Sequence, residues 1–301
     1  MLNITILGSG SSGNSALICS GDTRLLVDAG LSAKQLRLRL ESIGVEPESL
    51  DGILLTHEHG DHTRGIEVFC RKVTVPIFCT ARTKIVVSDG MKTEKNWKVI
   101  PSGGEFEIAG LAMRSFPVAH DAVDPMGFVF DDGESSLGVV SDVGFVTSLM
   151  VDAVKGVNTL FVEANYDEQL LFDDTKRPPS IKQRISSRHG HLSNEQTADL
   201  VVRAASDGLE RVILGHLSSD CNTAEIAIAV VGGKLAEATG REVEVVCAEA
   251  DVPTGGFDVC TKVPVEEPPV VHVKDEVVVS ERSVEVQVDF DAGDMYQAEL
   301  F

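Results

Sequence analysis

Nowhere in the 301 residues does an apolar run approach the roughly 18 consecutive positions of a membrane span, which excludes a transmembrane helix. The opening Met1-Leu2-Asn3-Ile4-Thr5-Ile6 lacks a basic segment followed by an apolar one, so no export leader is expected. C-x-x-C spacing is missing too. The six cysteines (Cys19, Cys70, Cys79, Cys221, Cys247, Cys260) are scattered and read as reduced thiols, mostly core, in a cytoplasmic protein. Basic charge is also scarce. With 26 Lys and Arg against 47 Asp and Glu, the net charge is -21, so most of the surface repels phosphate and indiscriminate nucleic-acid binding is excluded. A phosphodiester held by metals in one cleft is not excluded. What remains, 43% hydrophobic and 24% charged residues, suits a soluble globular chain with a sizeable core, in one large domain or two ordinary ones.

The chain is organised around Thr56-His57-Glu58-His59-Gly60-Asp61-His62, which follows a buried-strand run, Gly52-Ile53-Leu54-Leu55. Three histidines and a carboxylate at a strand end are costly to bury without a partner, and a metal is the natural one. Other predicted strands end the same way. Residues 25–27 lead to Asp28, 113–118 to His120, 137–141 to Asp142, 160–162 to Glu163 and 212–215 to His216. Polar residues at successive carboxyl ends mark where layered α/β folds collect ligands.

Around this frame, 3–7 and 15–18 read as strands joined by Gly8-Ser9-Gly10-Ser11-Ser12-Gly13-Asn14, either an anion cradle or an ordinary flexible hairpin. Ser32 caps a helix with Leu36, Leu40 and Ile43 on one face and Gly44 as its stop. Residues 63–72 are expected to be helical and Pro76-Ile77-Phe78-Cys79 a strand, while 80–110 carry a helix and a turn. Lys176, Arg177, Lys182, Arg184 and Arg188 occur without an acid between 176 and 188, a local basic patch or else a mobile surface loop. Ser193 and Gln196 form a capping box. A last long helix runs from Asn222 and Thr223 to Gly240, and 243–247 form the closing strand. His189 and His272 are expected to be solvated.

Composition changes after Pro264. Ten acids oppose two bases between 265 and 301, with many valines, which reads as an extended acidic tail. The expected division is a folded domain over 1–262, an acidic linker over 263–296 and a terminal peptide over 297–301.

The assembled ligand set is His57, His59, Asp61, His62, His120, Asp142 and His216. Imidazoles and carboxylates without thiolates suit Zn, Mn or Fe(II), and seven ligands suffice for two divalent ions. Such a pair activates water and stabilises a leaving oxygen, which implies hydrolysis.

This H-x-H-x-D-H pattern closely resembles the metallo-β-lactamase superfamily over about residues 1 to 260, and the resemblance implies a four-layer αββα sandwich. It implies that His57, His59 and His120 hold one metal, that Asp61, His62 and His216 hold the other, that Asp142 bridges, and that Asp28 orients ligands from behind. Gly8 to Ser15, Glu163-Ala164-Asn165-Tyr166-Asp167, Gly190-His191-Leu192-Ser193-Asn194 and Gly215-His216-Leu217-Ser218 narrow it to the YycJ/WalJ-type proteins. That family is associated with 5′-to-3′ exonuclease action on DNA and with mismatch repair. Two positions depart from the pattern: Tyr166 stands where a histidine is expected, and Cys221-Asn222 where paired asparagines are. Ser11, Ser12, Asn14, Asn165, Ser218 and Asn222, from these motifs, and Arg184 and Arg188, from the basic stretch, are the expected substrate contacts.

Glu163 and His191 are similar to a pair in the tRNase Z branch, which makes His191 the general acid, tuned by Glu163, beside Asp61. The alternative is a helix-adjacent histidine without a catalytic role. Gln297-Ala298-Glu299-Leu300-Phe301 resembles the peptide by which bacterial replication and repair proteins hold the β sliding clamp, with Gln297, Leu300 and Phe301 as the contacts. The leading expectation is thus a clamp-recruited DNA exonuclease. A metal hydrolase of a small cyclic phosphodiester, lactone or thioester is the second, and a non-catalytic clamp adaptor the third.

Overall fold

The computed structural model describes residues 1–259. The expected acidic tail, His272 and the clamp-like peptide lie outside the described residues.

The first half opens with three antiparallel strands, β1 (Leu2–Gly8), β2 (Ser15–Ser20) and β3 (Thr23–Val27). Helix α1 (Ala33–Ser42) follows, its N-cap Ser32 accepting a hydrogen bond from the Gln35 N–H. Then come β4 (Gly52–Leu54), α2 (Gly60–Thr63), α3 (Ile66–Phe69), β5 (Ile77–Cys79), α4 (Ala81–Ser88) and β6 (Trp97–Val99). The second half carries β7 (Glu105–Ile108), β8 (Leu111–Pro117), β9 (Met126–Asp131), β10 (Ser136–Val140), α5 (Ser148–Val154) and β11 (Thr159–Glu163). It continues through α6 (Glu168–Asp173), α7 (Pro179–Ile185), α8 (Asn194–Ala204), β12 (Arg211–Gly215), α9 (Ala224–Thr239) and β13 (Glu244–Cys247). A last strand, β14 (Thr254–Asp258), returns to pair with β1.

Two seven-stranded mixed sheets result, ordered β14-β1-β2-β3-β4-β5-β6 and β13-β12-β11-β10-β9-β8-β7. Period-2 alternation decides which face each side chain takes. Leu25 and Val27 point between the sheets with Phe128, Phe130, Leu137, Val139, Phe161 and Ile213, while Leu26 points outward onto Leu36 and Leu40 of α1. On the other side Leu160, Val162, Val212 and Leu214 meet Met150 of α5, Val201 of α8 and Val231 of α9. Both faces of each sheet are covered, which is why these strands read as continuous apolar runs. The expected αββα sandwich is present.

The expected helix over 63–72 is instead two short turns. Its i→i−4 ladder is diverted at one point: the Asp61 carbonyl accepts from Asn14 N–H at 2.8 Å, and Gly65 N–H donates to Ala29 O at 2.8 Å. Between 80 and 110 the chain adds two strands to the expected helix. The closing strand is not the last one, because Thr254-Gly255-Gly256-Phe257-Asp258 pairs with β1 across an irregular register between Ile4 and Thr5. The 176–188 stretch contains helix α7, packed through Ile185 onto the small apolar cluster of Tyr166, Leu171 and Cys221. Among the described residues, no helix is long and apolar enough to cross a membrane.

Candidate metal centre

Strand ends build the site. Asp28, Asp142 and His216 directly follow or closely follow β3, β10 and β12, and all three have positive φ (62°, 51° and 53°). Left-handed backbone at a non-glycine residue is uncommon and costs free energy. Here it ends each strand abruptly and leaves three polar side chains within one buried cluster. Glycine makes the loops fit around them: a Cβ on Gly30 would lie 1.6 Å from the Asp61 carbonyl oxygen, so only glycine lets the 28–30 turn rest on the histidine loop.

All seven sequence-assigned ligands come together in two groups that share Asp142. His57, His59, His120 and Asp142 offer donor atoms within 4.8 Å of one another, and so do Asp61, His62, Asp142 and His216. Asp142 divides its oxygens between them. Its Oδ2 lies 3.9 Å from His57 Nε2 and 3.7 Å from His120 Nε2, while Oδ1 lies 3.2 Å from His62 Nε2 and 3.1 Å from His216 Nδ1. Asp61 Oδ2 lies 3.6 Å from His216 Nε2. His59 presents Nδ1, 3.0 Å from His57 Nε2 and 3.2 Å from His120 Nε2. One imidazole nitrogen thus faces two others at hydrogen-bond distance, and with the Asp142 and Asp61 oxygens their lone pairs converge on a small volume. This convergent N/O donor set fits divalent cations.

The nitrogens turned away from the cluster are held from behind. His62 Nδ1 lies 2.8 Å from Asp28 Oδ2, and Thr56 N–H donates to Asp28 Oδ1 at 2.8 Å. The Thr56 hydroxyl donates to Asp28 Oδ2 at 2.8 Å and stands 2.9 Å from His57 Nδ1, so one buried acid orients two histidines of the cluster. His120 Nδ1 meets the Gly190 carbonyl at 2.9 Å. Sequence inspection gave Thr56 and Gly190 no role, because a hydroxyl inside the motif and a backbone carbonyl carry no signature of their own.

Electrostatics follow from burial and crowding. Burial, reinforced by the charge of His62, pushes His57 well below the ordinary imidazole pKa, and burial likewise lowers His120. Burial would raise Asp142, but the His216 and His62 charges override it and hold the carboxyl well below its usual range. For His216, burial is outweighed by the Asp142 carboxylate and by hydrogen bonds to Asp61 and Glu163, which lift it to about 10. The acids are therefore ionised, and a cation entering the second group would displace protons.

Beside the cluster, His191 Nδ1 and His216 Nδ1 lie 3.1 and 3.3 Å from Glu163 Oε2. Glu163 Oε1 accepts from the Val143 and Leu192 N–H groups at 2.6 and 3.1 Å, so this buried carboxylate is fully committed. The His191 ring lies 5.3 Å from that of His120 and 5.1 Å from that of His216, between the two ligand groups.

These side chains open into a cleft of about 400 Å³. Of the expected substrate contacts, Ser11, Asn165, Arg184 and Ser218 line it, and Ser12, Asn14, Arg188 and Asn222 do not. Asn14 is buried against His62 Nε2 (3.1 Å), and its Oδ1 accepts from Gly10 N–H, which folds the 8–14 turn onto the histidines. Asn222 exchanges amide hydrogen bonds with Asn194 at 2.8 and 3.0 Å. Ser12 holds Arg64 through its carbonyl, and Arg188 stacks on Phe145. Arg177, known from the sequence only as a member of the basic patch, and Asp121 also line the cleft. The expected basic patch is largely neutralised: Arg184 binds Asp121, Arg177 binds Asp174 and Asp220, and Lys176 binds Asp220.

Residues 23–217 match the family described as "Beta-lactamase superfamily domain". Exodeoxyribonuclease WalJ of Streptococcus pneumoniae is 36% identical over 238 residues, covering 78% of this chain and 88% of that protein. Exodeoxyribonuclease YycJ of Bacillus anthracis is 33% identical over 260 residues, covering 84% of this chain and 97% of that one. Among solved structures, the metallo-beta-lactamase fold protein YhfI from Bacillus subtilis superposes with a TM-score of 0.62 at 18% identity, over 84% of this chain and 99% of its own. The chain belongs to the beta-lactamase superfamily and is a hydrolase of the metallo-β-lactamase fold.

Proposed function

We propose that this protein is a dinuclear metal-dependent phosphodiesterase that degrades DNA from 5′ ends. The observation that carries the reading is the division of Asp142 between two complete donor groups, with His191 between them. His57, His59 and His120 would hold one divalent ion, Zn or Mn, and Asp61, His62 and His216 the other, with Asp142 shared. Ions held there would supply Lewis-acid activation of water and charge stabilisation at phosphorus.

The chain's own residues do the rest. The ionised Glu163 accepts a hydrogen bond from His191 Nδ1–H and favours the imidazolium, so Nε2–H is the group that hands a proton to the leaving oxygen, leaving the neutral ring with its proton on Nδ1. Asp28, through Thr56, keeps His57 and His62 facing inward. Ser11, Asn165 and Ser218 offer neutral donors along the cleft, and Arg184, anchored by Asp121, brings a guanidinium to its mouth.

The exodeoxyribonuclease relatives support DNA as the substrate. A cytoplasmic place in mismatch repair belongs to the same proposal. Recruitment by the β sliding clamp rests on Gln297, Leu300 and Phe301 alone, with 263–296 as the tether.

The deciding experiment follows degradation of end-labelled duplex DNA with added Mn or Zn, with His59→Ala alongside and metal content measured for both. Metal-dependent release from 5′ ends that His59→Ala abolishes is the expected result. Turnover of small phosphodiesters without any cleavage of DNA would shift the assignment to the small-molecule hydrolase.

A further inference from the structure

Between 176 and 188 every cation but two is matched by an acid. Lys176, Arg177 and Arg184 are ion-paired with Asp220, Asp174 and Asp121, and Lys182 Nζ donates to the Phe172 carbonyl at 2.7 Å. Arg188 meets no carboxylate among the described residues. Its guanidinium carbon instead sits 4.0 Å above the centroid of the Phe145 ring, and both side chains are exposed.

The backbone under this stack is closely fitted. Gly144 packs so tightly that a Cβ there would lie 2.5 Å from Gly190 N and 2.6 Å from Arg188 C, and Gly144 N–H donates to Ala119 O at 2.7 Å. Phe145 is bridged to Ala119, and Asp121 N–H donates to His189 O at 3.0 Å. Each arm is tied to the metal centre: Phe145 follows Asp142 by three residues, and Arg188 precedes His191 by three. A bridged pair lies about 5 Å apart and consecutive Cα atoms about 3.8 Å, so Phe145 stands within about 10 Å of His120 along the backbone.

A guanidinium pinned on an aromatic ring has one face covered and one planar, cationic face open to solvent. Its rotamer entropy is already spent by the stack, which favours binding there. Every nucleobase offers a matching π-face regardless of sequence, and the adjoining phosphodiester is anionic. We propose that the Arg188–Phe145 stack seats a nucleotide flanking the one being cleaved, with its base laid on the open face of Arg188. This rests on the nucleic-acid reading above and adds to it a specific contact outside the cleft. It also accounts for how a cleft whose lining cations, Arg177 and Arg184, are both ion-paired holds DNA, because stacking depends less on net charge than phosphate contacts do.

The test measures binding of a fluorescent oligonucleotide with phosphorothioate linkages to the metal-loaded protein, alongside turnover of bis(p-nitrophenyl) phosphate. Arg188→Ala is expected to weaken binding about tenfold, within the range of one lost base stack. Arg188→Lys, which keeps the charge and loses the plane, weakens it nearly as much. An abasic residue walked along the oligonucleotide reproduces the loss at one position in the wild type and adds nothing in Arg188→Ala. Turnover of the small phosphodiester stays unchanged. Full rescue by lysine with a flat abasic walk overturns the stack in favour of a phosphate contact, and a parallel fall in small-substrate turnover makes Arg188 merely structural. If the wild type binds no oligonucleotide at all, the nucleic-acid reading falls first and takes this one with it.

Discussion

Glu163 and His191 form a buried acid–imidazole pair, with Oε2 3.1 Å from Nδ1, while the other Glu163 oxygen is locked by two backbone N–H groups. The carboxylate has no freedom to turn away, so the histidine ring is held as well. If His191 Nε2 supplies the leaving-group proton, His191→Ala should lower kcat on DNA by about 10²- to 10⁴-fold, the usual contribution of a general acid. The same variant should lose far less on bis(p-nitrophenyl) phosphate, whose leaving group needs no proton. Equal losses on both substrates, at unchanged metal content, would assign His191 a role other than proton donor.

Thr56 is the second test. Its hydroxyl joins Asp28 to His57, and among the described residues it is the hydrogen-bond partner of His57 Nδ1. Thr56→Val keeps the shape and removes the link, leaving the His57 Nδ1 proton buried without an acceptor. Loss of such a supporting partner typically costs about 10- to 100-fold in metal affinity. Competition with a chromogenic chelator should find one ion weakened by about that much. An ion held by Asp61, His62 and His216, as proposed above, would be weakened less, because Asp28 still reaches His62 directly.

Much of this centre was legible beforehand, for a physical reason. Strands buried on both faces read as apolar runs, and a polar residue at the end of each run has few explanations besides a shared site. That pattern brought Asp28, His57, His120, Asp142, Glu163 and His216 into view together. Local rules failed where tertiary hydrogen bonds outbid them. The helix through 63–72 is interrupted because Asn14 captures the Asp61 carbonyl. Strand β14 went unseen because two glycines in five residues have low β propensity, and only β1 makes them a strand. The 176–188 segment looked like an open basic surface because its neutralising partners, Asp121, Asp174 and Asp220, all lie outside it in sequence. Composition cannot show pairings of that kind.

The β7–β8 hairpin supplies a stability prediction remote from the chemistry. Ala109 and Gly110 both have positive φ (50° and 85°), the geometry of a two-residue turn that favours Asn-Gly. Ala109 is exposed, and its Cβ meets the left-handed penalty with no compensating side-chain contact. Ala109→Asn should therefore raise unfolding free energy by about 1 kcal/mol. Urea titration should show a higher midpoint at unchanged slope, since the Thr23 hydroxyl still finds the residue 109 carbonyl.

The cysteines give the pH prediction. Burial pushes the Cys79 and Cys247 thiols up to about 12 and Cys70 up to about 11, against about 8.5 for a free thiol. A raised pKa in the folded state means that the unfolded chain loses the proton first. The stabilising difference is complete below about pH 8.5 and is lost as pH rises through the folded values. Stability to urea should accordingly fall between about pH 8.5 and 11, and Cys79→Ala should flatten part of that slope while creating a small cavity cost at neutral pH. Alkylation gives an independent check. At about pH 8 the thiolate is the reactive form, so iodoacetamide should label Cys70, Cys79 and Cys247 of the folded protein orders of magnitude more slowly than in urea. Rapid labelling of Cys79 in the native state would mean that β5 opens far more often than its full burial implies.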